Sequence, residues 1–128
     1  MPLTPGIKGS ASCVVGPEDT AKALGSGAVD VFSTPKLVAL MEKAALLSVR
    51  DYLDEGMDTV GTHLDISHSA ATPVGMTVRA ESELIEVDRR RLVFSVKAWD
   101  ETELVGEGTH ERFIIARDKF LAKCSSKA

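Results

Sequence analysis

An α+β fold, with an antiparallel sheet of about five strands wrapped around one long central helix, is what the sequence predicts. Three observations carry that expectation. The stretch from Ser33 to Tyr52 has a helical pattern that is apolar most of the way round. Beyond Gly56, segments of strand-like alternation follow one another, separated by short polar turns. A helix that is apolar on most faces must be enclosed by protein, and a curved sheet is the element available to enclose it.

The helix opens at Thr34-Pro35, an N-cap hydroxyl followed by the residue best suited to the first helical position. It closes near Gly56, which can adopt the left-handed cap conformation. About 20 residues lie between those signals, roughly 30 Å at 1.5 Å per residue. Leu37, Val38, Leu40, Met41, Ala44, Ala45, Leu47, Val49 and Tyr52 cover most of the wheel, and Lys36, Lys43 and Arg50 mark the polar edge. Glu42 falls inside the apolar arc. Burying a carboxylate costs several kcal/mol unless it is paired or hydrogen-bonded. Glu42 is therefore either a satisfied side chain at the arc's edge or a functional acid.

The 128 residues are 44% apolar, enough for a single globular domain spanning 1–128. A formal charge of -4, with both signs mixed along the chain, argues against a general nucleic-acid binder. Cys13 and Cys124 show no redox or metal spacing and read as free thiols of an intracellular protein. No apolar run reaches transmembrane length and no signal-peptide pattern opens the chain. The expectation is a soluble, cytoplasmic protein with no membrane contact.

In chain order, residues 1–8 form an irregular lead-in and Ala11–Val15 a short strand ended by Gly16-Pro17. Asp19–Leu24 is a short possible helix. Gly25-Ser26-Gly27 then makes the approach to Val31 a loop, either a plain connector or a mobile cover. Asp58–His68 alternates as a strand, with Val60, Thr62, Leu64, Ile66 and His68 on one side and Gly61, His63, Asp65 and Ser67 on the other. Ser69–Gly75 breaks it. Met76–Val87, Arg91–Trp99 and Leu104–Ala116 are further strands, antiparallel because the turns between consecutive strands are short. Gly106 and Gly108 fit the last one only where another backbone approaches closely or a bulge is needed. Arg117–Ala128 reads as a polar, fraying tail. Such a sheet covers one side of the helix, so the remaining apolar surface predicts a partner subunit.

No phosphate-binding loop, dinucleotide glycine motif, Gly-x-Ser-x-Gly or His-Glu-x-x-His is present. The strand places His63 and His68 on opposite faces, which leaves no zinc ligand set. Arg89-Arg90-Arg91 suits a solvated turn better than a phosphate site. What remains is Thr34 at a helix N-terminus, Glu42 two turns further in and His68 on the apolar strand face. Free N–H groups and a positive dipole end suit a carbonyl or an anion. A carboxylate and an imidazole beside them could activate water as a general base pair. The structural alternative is a hydrogen-bonded core histidine.

Several strings then point further. Val31-Phe32-Ser33-Thr34 with Leu40-Met41-Glu42, Gly61-Thr62, His68-Ser69-Ala70-Ala71-Thr72-Pro73-Val74-Gly75, Arg90-Arg91-Leu92 and Gly106-Glu107-Gly108-Thr109-His110-Glu111-Arg112 follow at ungapped spacing from about Val29 to Lys123. In these the chain resembles the fluoroacetyl-CoA thioesterase-like family of hot-dog fold acyl-CoA thioesterases. The resemblance implies hydrolysis of a small acyl-CoA by Thr34, Glu42 and His68, with no metal and no cofactor beyond the substrate's own coenzyme A. It also implies that Gly61 offers its backbone amide to the thioester carbonyl and that Arg112 lies near bound acyl-CoA. Family members are homodimers with sites at the subunit interface. One departure concerns the lid before the helix, where the fluoroacetate-specific enzyme carries two phenylalanines and this chain has Gly25 and Ala28. A non-catalytic acyl-CoA binding or sensing dimer and a hot-dog enoyl-thioester hydratase or dehydratase are the rival readings. Direct hydrolysis and an acyl-enzyme both remain open at this level.

Overall fold

A computed structural model describes residues 2–128. In chain order it runs β1 (Lys8–Val14), a 3₁₀ turn (Pro17–Asp19), α1 (Ala21–Leu24), α2 (Thr34–Arg50), β2 (Met57–His68), β3 (Thr77–Asp88), β4 (Arg91–Trp99), β5 (Leu104–Ala116) and α3 (Arg117–Ser125). The strands form one antiparallel sheet in the order β1-β3-β4-β5-β2. Its concave face wraps α2. Leu37, Met41, Ala44, Ala45 and Val49 of the helix are buried against Val78, Leu84, Phe94, Val96 and Ala98 of the sheet. Leu47 is 42% exposed, so the sheet leaves part of the apolar helix uncovered.

The helix start differs from the sequence reading by one residue. Ser33 is the N-cap: its backbone is extended, and its hydroxyl accepts a hydrogen bond from the Lys36 N–H at 3.3 Å. Thr34 is thus the first helical residue, and its hydroxyl is free of capping duty. The helix also ends earlier, at Arg50, because Tyr52 and Leu53 turn back onto the carbonyls of Val49 and Arg50. Gly56 does take a left-handed conformation, with φ of 83°, but in the turn entering β2.

Three further differences have physical causes. β2 and β3 are consecutive but not paired; β2 lies against β5, and the loop containing Pro73 carries the chain away from it. The alternation of β2 is interrupted: Gly61 stands opposite Arg112 but His63 opposite Glu111, so Thr62 is an extra residue in a bulge. The inner face therefore carries Thr59 and Gly61 before the bulge and Leu64, Ile66 and His68 after it. Finally, Arg117–Ser125 is helical rather than frayed. Asp118 in its first turn and Lys123 in its last match the helix dipole, and the Arg117 N–H bonds the Gly56 carbonyl at 2.9 Å.

The glycines of β5 sit where another chain segment comes close. A methyl group on Gly108 would lie 2.0 Å from the Asp65 carbonyl oxygen of the neighbouring strand, and one on Gly106 would lie 2.8 Å from Leu37 Cδ2. The Asp65 backbone cannot yield as a side chain can. Gly108→Ala should therefore lower the melting temperature by an amount equivalent to about 1–3 kcal/mol. Thermal denaturation followed by circular dichroism checks this, and an unchanged melting temperature would contradict the close approach.

Candidate active site

Two groups of polar side chains open onto the inner face. The first joins the N-terminus of α2 to the C-terminus of β2. Because Ser33 caps the helix, the Thr34 hydroxyl is free to meet His68 Nδ1, at 2.7 Å. The other ring nitrogen, Nε2, is buried and has no hydrogen-bond partner. Burial pushes the His68 pKa below its ordinary 6.5, while the nearby Ala70 carbonyl works in the opposite direction. The imidazole is thus neutral at pH 7 and has a free nitrogen. A cleft of about 290 Å³ adjoins it, walled by small side chains including Ala21, Ser26, Val31, Ala70 and Ala71. The cleft wall is tied down by the Phe32 N–H bond to the Thr72 carbonyl and by the Thr72 hydroxyl, which donates to Asp100 at 2.8 Å.

The second group surrounds Glu42. Its carboxylate lies 3.7 Å from Arg112 Nη1 and 2.7 Å from where a methyl group on Gly61 would stand. Arg112 is only 5% exposed. Its Nε donates to the Thr59 hydroxyl at 2.8 Å, its Nη2 to the Thr59 carbonyl at 2.9 Å and its Nη1 to His110 Nε2 at 3.1 Å. Burial lowers its pKa, and Glu42 and then Asp58 counter that shift. Glu42 itself keeps 37% of its side chain exposed, so the pair joins a buried cation to a carboxylate that solvent can reach.

The structure thus brings together Thr34 with His68, and Glu42 with Gly61 and Arg112. It does not bring the two groups to one point within a single chain. Eight residues of helix separate Thr34 from Glu42, about 12 Å along the axis. His63 is exposed on the strand edge, and among the described residues no group of three His, Cys, Asp or Glu side chains is arranged to hold a metal ion. A larger groove of about 450 Å³ lies on the outer face of the sheet around Lys8, Arg79 and Trp99, and contains none of these groups.

Sequence reasoning missed Thr59 and His110. His110 is fully buried and lies 6.2 Å from Phe94 between ring centroids. The two-residue alternation Gly106, Gly108, His110, Arg112 would have placed it on the inner face; the shifted register of β2 hid Thr59.

A five-stranded antiparallel sheet wrapped around one long helix, with a neutral imidazole beside a cleft, is the architecture of the hot-dog thioesterases. Comparison with known proteins narrows that class. The family model described as fluoroacetyl-CoA-specific thioesterase matches residues 15–118. The fluoroacetyl-CoA thioesterase of Streptantibioticus cattleyicolor is 43% identical over 98 residues, spanning 77% of this chain and 70% of that protein. A solved structure of a fluoroacetyl-CoA thioesterase superposes with a TM-score of 0.94 at 36% identity, covering 100% of this chain and 99% of that one. A hypothetical protein of Thermus thermophilus, described as a thioesterase superfamily member, gives 0.90 at 28% identity, over 98% and 93% of the two chains. The chain belongs to the fluoroacetyl-CoA-specific thioesterase family, and with it to the thioester hydrolases.

Two predictions follow from this geometry. Gly61→Ala would put a methyl group where the Glu42 carboxylate lies, and the flexible end of Glu42 would move while the fold stays. Turnover should fall by about 10- to 100-fold, the scale of a 1 Å misplacement, with little change in melting temperature. The second concerns pH. His68 and His110 are both held below their ordinary 6.5, so the unfolded chain takes up protons there before the folded chain does. Stability should be fully present above pH 6.5 and decline as pH falls through the lower folded values. Melting curves across that range should show the decline, and His68→Asn should flatten it.

Proposed function

We propose that the protein hydrolyses an acyl-CoA thioester to free acid and CoA, at a site completed by a second copy of the chain. The observation that carries this is the separation of the two polar groups. Along β2, Gly61 and His68 are about 20 Å apart at ~3.3 Å per residue, too far for one carbonyl carbon to touch both. Pairing the free edge of β2 with the same edge of a two-fold-related copy reverses one strand against the other. Centred near Leu64 and Asp65, such pairing lays the His68 of one chain beside the Gly61 of its partner. Leu64 is 38% exposed at that edge and Leu47 is exposed on α2, apolar surface that a partner would cover.

In the assembled site the Glu42 carboxylate orients a water molecule and takes its proton as the oxygen attacks the thioester carbonyl. The Gly61 backbone amide and the N-terminus of α2 support the developing oxyanion. The C–S bond then breaks. The proton taken by Glu42 is handed on through His68 Nε2 to the departing CoA thiolate, so both groups return to their starting states, and Nδ1 stays fixed by Thr34. Thiolate is a good leaving group, so no strong acid is required. The segment that lends Ala21 and Ser26 to the cleft also carries Gly25 and Ala28, both small and exposed, where the fluoroacetate-specific enzyme has phenylalanines. Acyl groups larger than the fluoroacetyl group named for the relatives should therefore enter. The free thiols Cys13 and Cys124 fit a reducing, cytoplasmic setting, where acyl-CoA is found.

The test is release of CoA from a panel of acetyl-, fluoroacetyl-, medium-chain and aryl-acetyl-CoA. Glu42→Gln and His68→Ala should each lower kcat by at least about 100-fold, the scale of a lost general base. Mixing the two inactive variants distinguishes the assembly. A site shared across the edge regains up to about one quarter of wild-type activity, because half of the mixed dimers' sites are intact. A site within one chain regains none. Tight acyl-CoA binding without CoA release from any substrate would establish the sensing dimer instead.

A further inference from the structure

His110 is a buried titratable group that the mechanism above does not use. It stands on the inner face of β5, fully enclosed and stacked near Phe94. Both ring nitrogens are engaged: Nε2 with Arg112 Nη1 at 3.1 Å and Nδ1 with the His63 carbonyl at 2.9 Å. A guanidinium can only donate, so Nε2 must be the acceptor, and the ring proton is on Nδ1. The Nδ1–H then donates to the His63 carbonyl, just past the bulge of β2. One tautomer satisfies both neighbours, and a protonated ring would face the Arg112 charge with no lone pair to offer.

Arg112 in turn has its Nε and Nη2 on Thr59 and presents Nη1 to both His110 and Glu42. His110 is the only hydrogen-bond partner of that nitrogen among the described residues, beside the 3.7 Å ion pair. The guanidinium is planar, so its two bonds to Thr59 leave it one freedom, a tilt about the line through Nε and Nη2 that carries Nη1 out of place; the bond to His110 removes that tilt and gives the carboxylate a fixed reference. We propose that His110 is a positioning residue: by accepting from Arg112 it fixes the guanidinium, and through it the Glu42 carboxylate beside Gly61. This rests on the hydrolase reading of Glu42 given above.

The ring's two nitrogens can be tested separately. In His110→Gln the side-chain oxygen reaches the place of Nε2 and still accepts from Arg112, and the bond to His63 is lost. In His110→Asn the amide nitrogen keeps the bond to His63, and the acceptor for Arg112 is lost. CoA release should show kcat reduced about 10- to 100-fold in His110→Asn, with KM within about threefold, and substantial recovery in His110→Gln. Adding His110→Asn to Glu42→Gln should slow the residual rate no further, because the two act on one group. Melting temperatures report folding. If His110→Asn does not fold, Thr59→Val removes another anchor of Arg112 and should give the same loss confined to kcat. Wild-type kcat in His110→Asn beside an inactive Glu42→Gln overturns the positioning role alone, as does full additivity of the two. A fully active Glu42→Gln overturns both this role and the hydrolase reading.

Discussion

The bulge at Thr62 is the constraint on which the candidate site depends. A strand alternates its side chains strictly, so residues an odd number apart face opposite ways. Gly61 and His68 are seven apart, and in an unbroken strand one of them would face solvent. The extra residue between Gly61 and His63 resets the phase, and both then look onto α2. The same reset leaves Thr59 inside, where its hydroxyl and carbonyl hold Arg112. It also sets the His63 carbonyl within reach of His110. Removing the bulge would undo the Arg112 anchorage and the Gly61–Glu42 contact together.

That arrangement allows a guanidinium to sit 95% out of solvent without a large desolvation cost going unmet. An isolated buried charge costs several kcal/mol or more. Here hydrogen bonds to two oxygens of Thr59 and one nitrogen of His110 replace the water, and Glu42 supplies the opposite charge. The carboxylate is more exposed than its partner, so the cation is the fixed member of the pair and the anion the member open to solvent. Neutral His110 suits this role, because a second cation against Arg112 would raise the cost again.

The framework was legible in the sequence because it rests on periodicity and punctuation. β4 and β5 fall where alternation and polar turns put them, at Arg91–Trp99 and Leu104–Ala116. The helix was legible from its apolar girth, and Glu42 from its place within the apolar arc. Three things were not legible, each for a definable reason. A bulge leaves no mark in composition, so strict alternation puts Gly61 on the outer face and gives no reason to single out Thr59. The cap was placed at Thr34 rather than Ser33, since two adjacent hydroxyl residues both satisfy the capping rule; tertiary contact with His68 decides between them. The tail became α3 because its Lys, Leu and Ala residues favour helix, a preference outweighed in the reading by its polarity.

The two edges of the sheet support a shared site. β1, at one edge, is seven residues long, begins with Lys8 and runs into Gly16-Pro17, features that discourage pairing with another strand. β2, at the other edge, is twelve residues long and contains neither lysine nor proline. A long edge with only the bulge at Thr62 to discourage pairing is either a liability or an interface. The proposed shared site draws on that edge, at Gly61 within the strand and at His68, its last residue. Leu64 and Asp65 lie midway between Gly61 and His68, and in the proposed assembly a reversed copy of the same strand brings those two level. A copy paired at that edge, as proposed above, would also cover the part of the apolar helix that its own sheet leaves exposed, at Leu47.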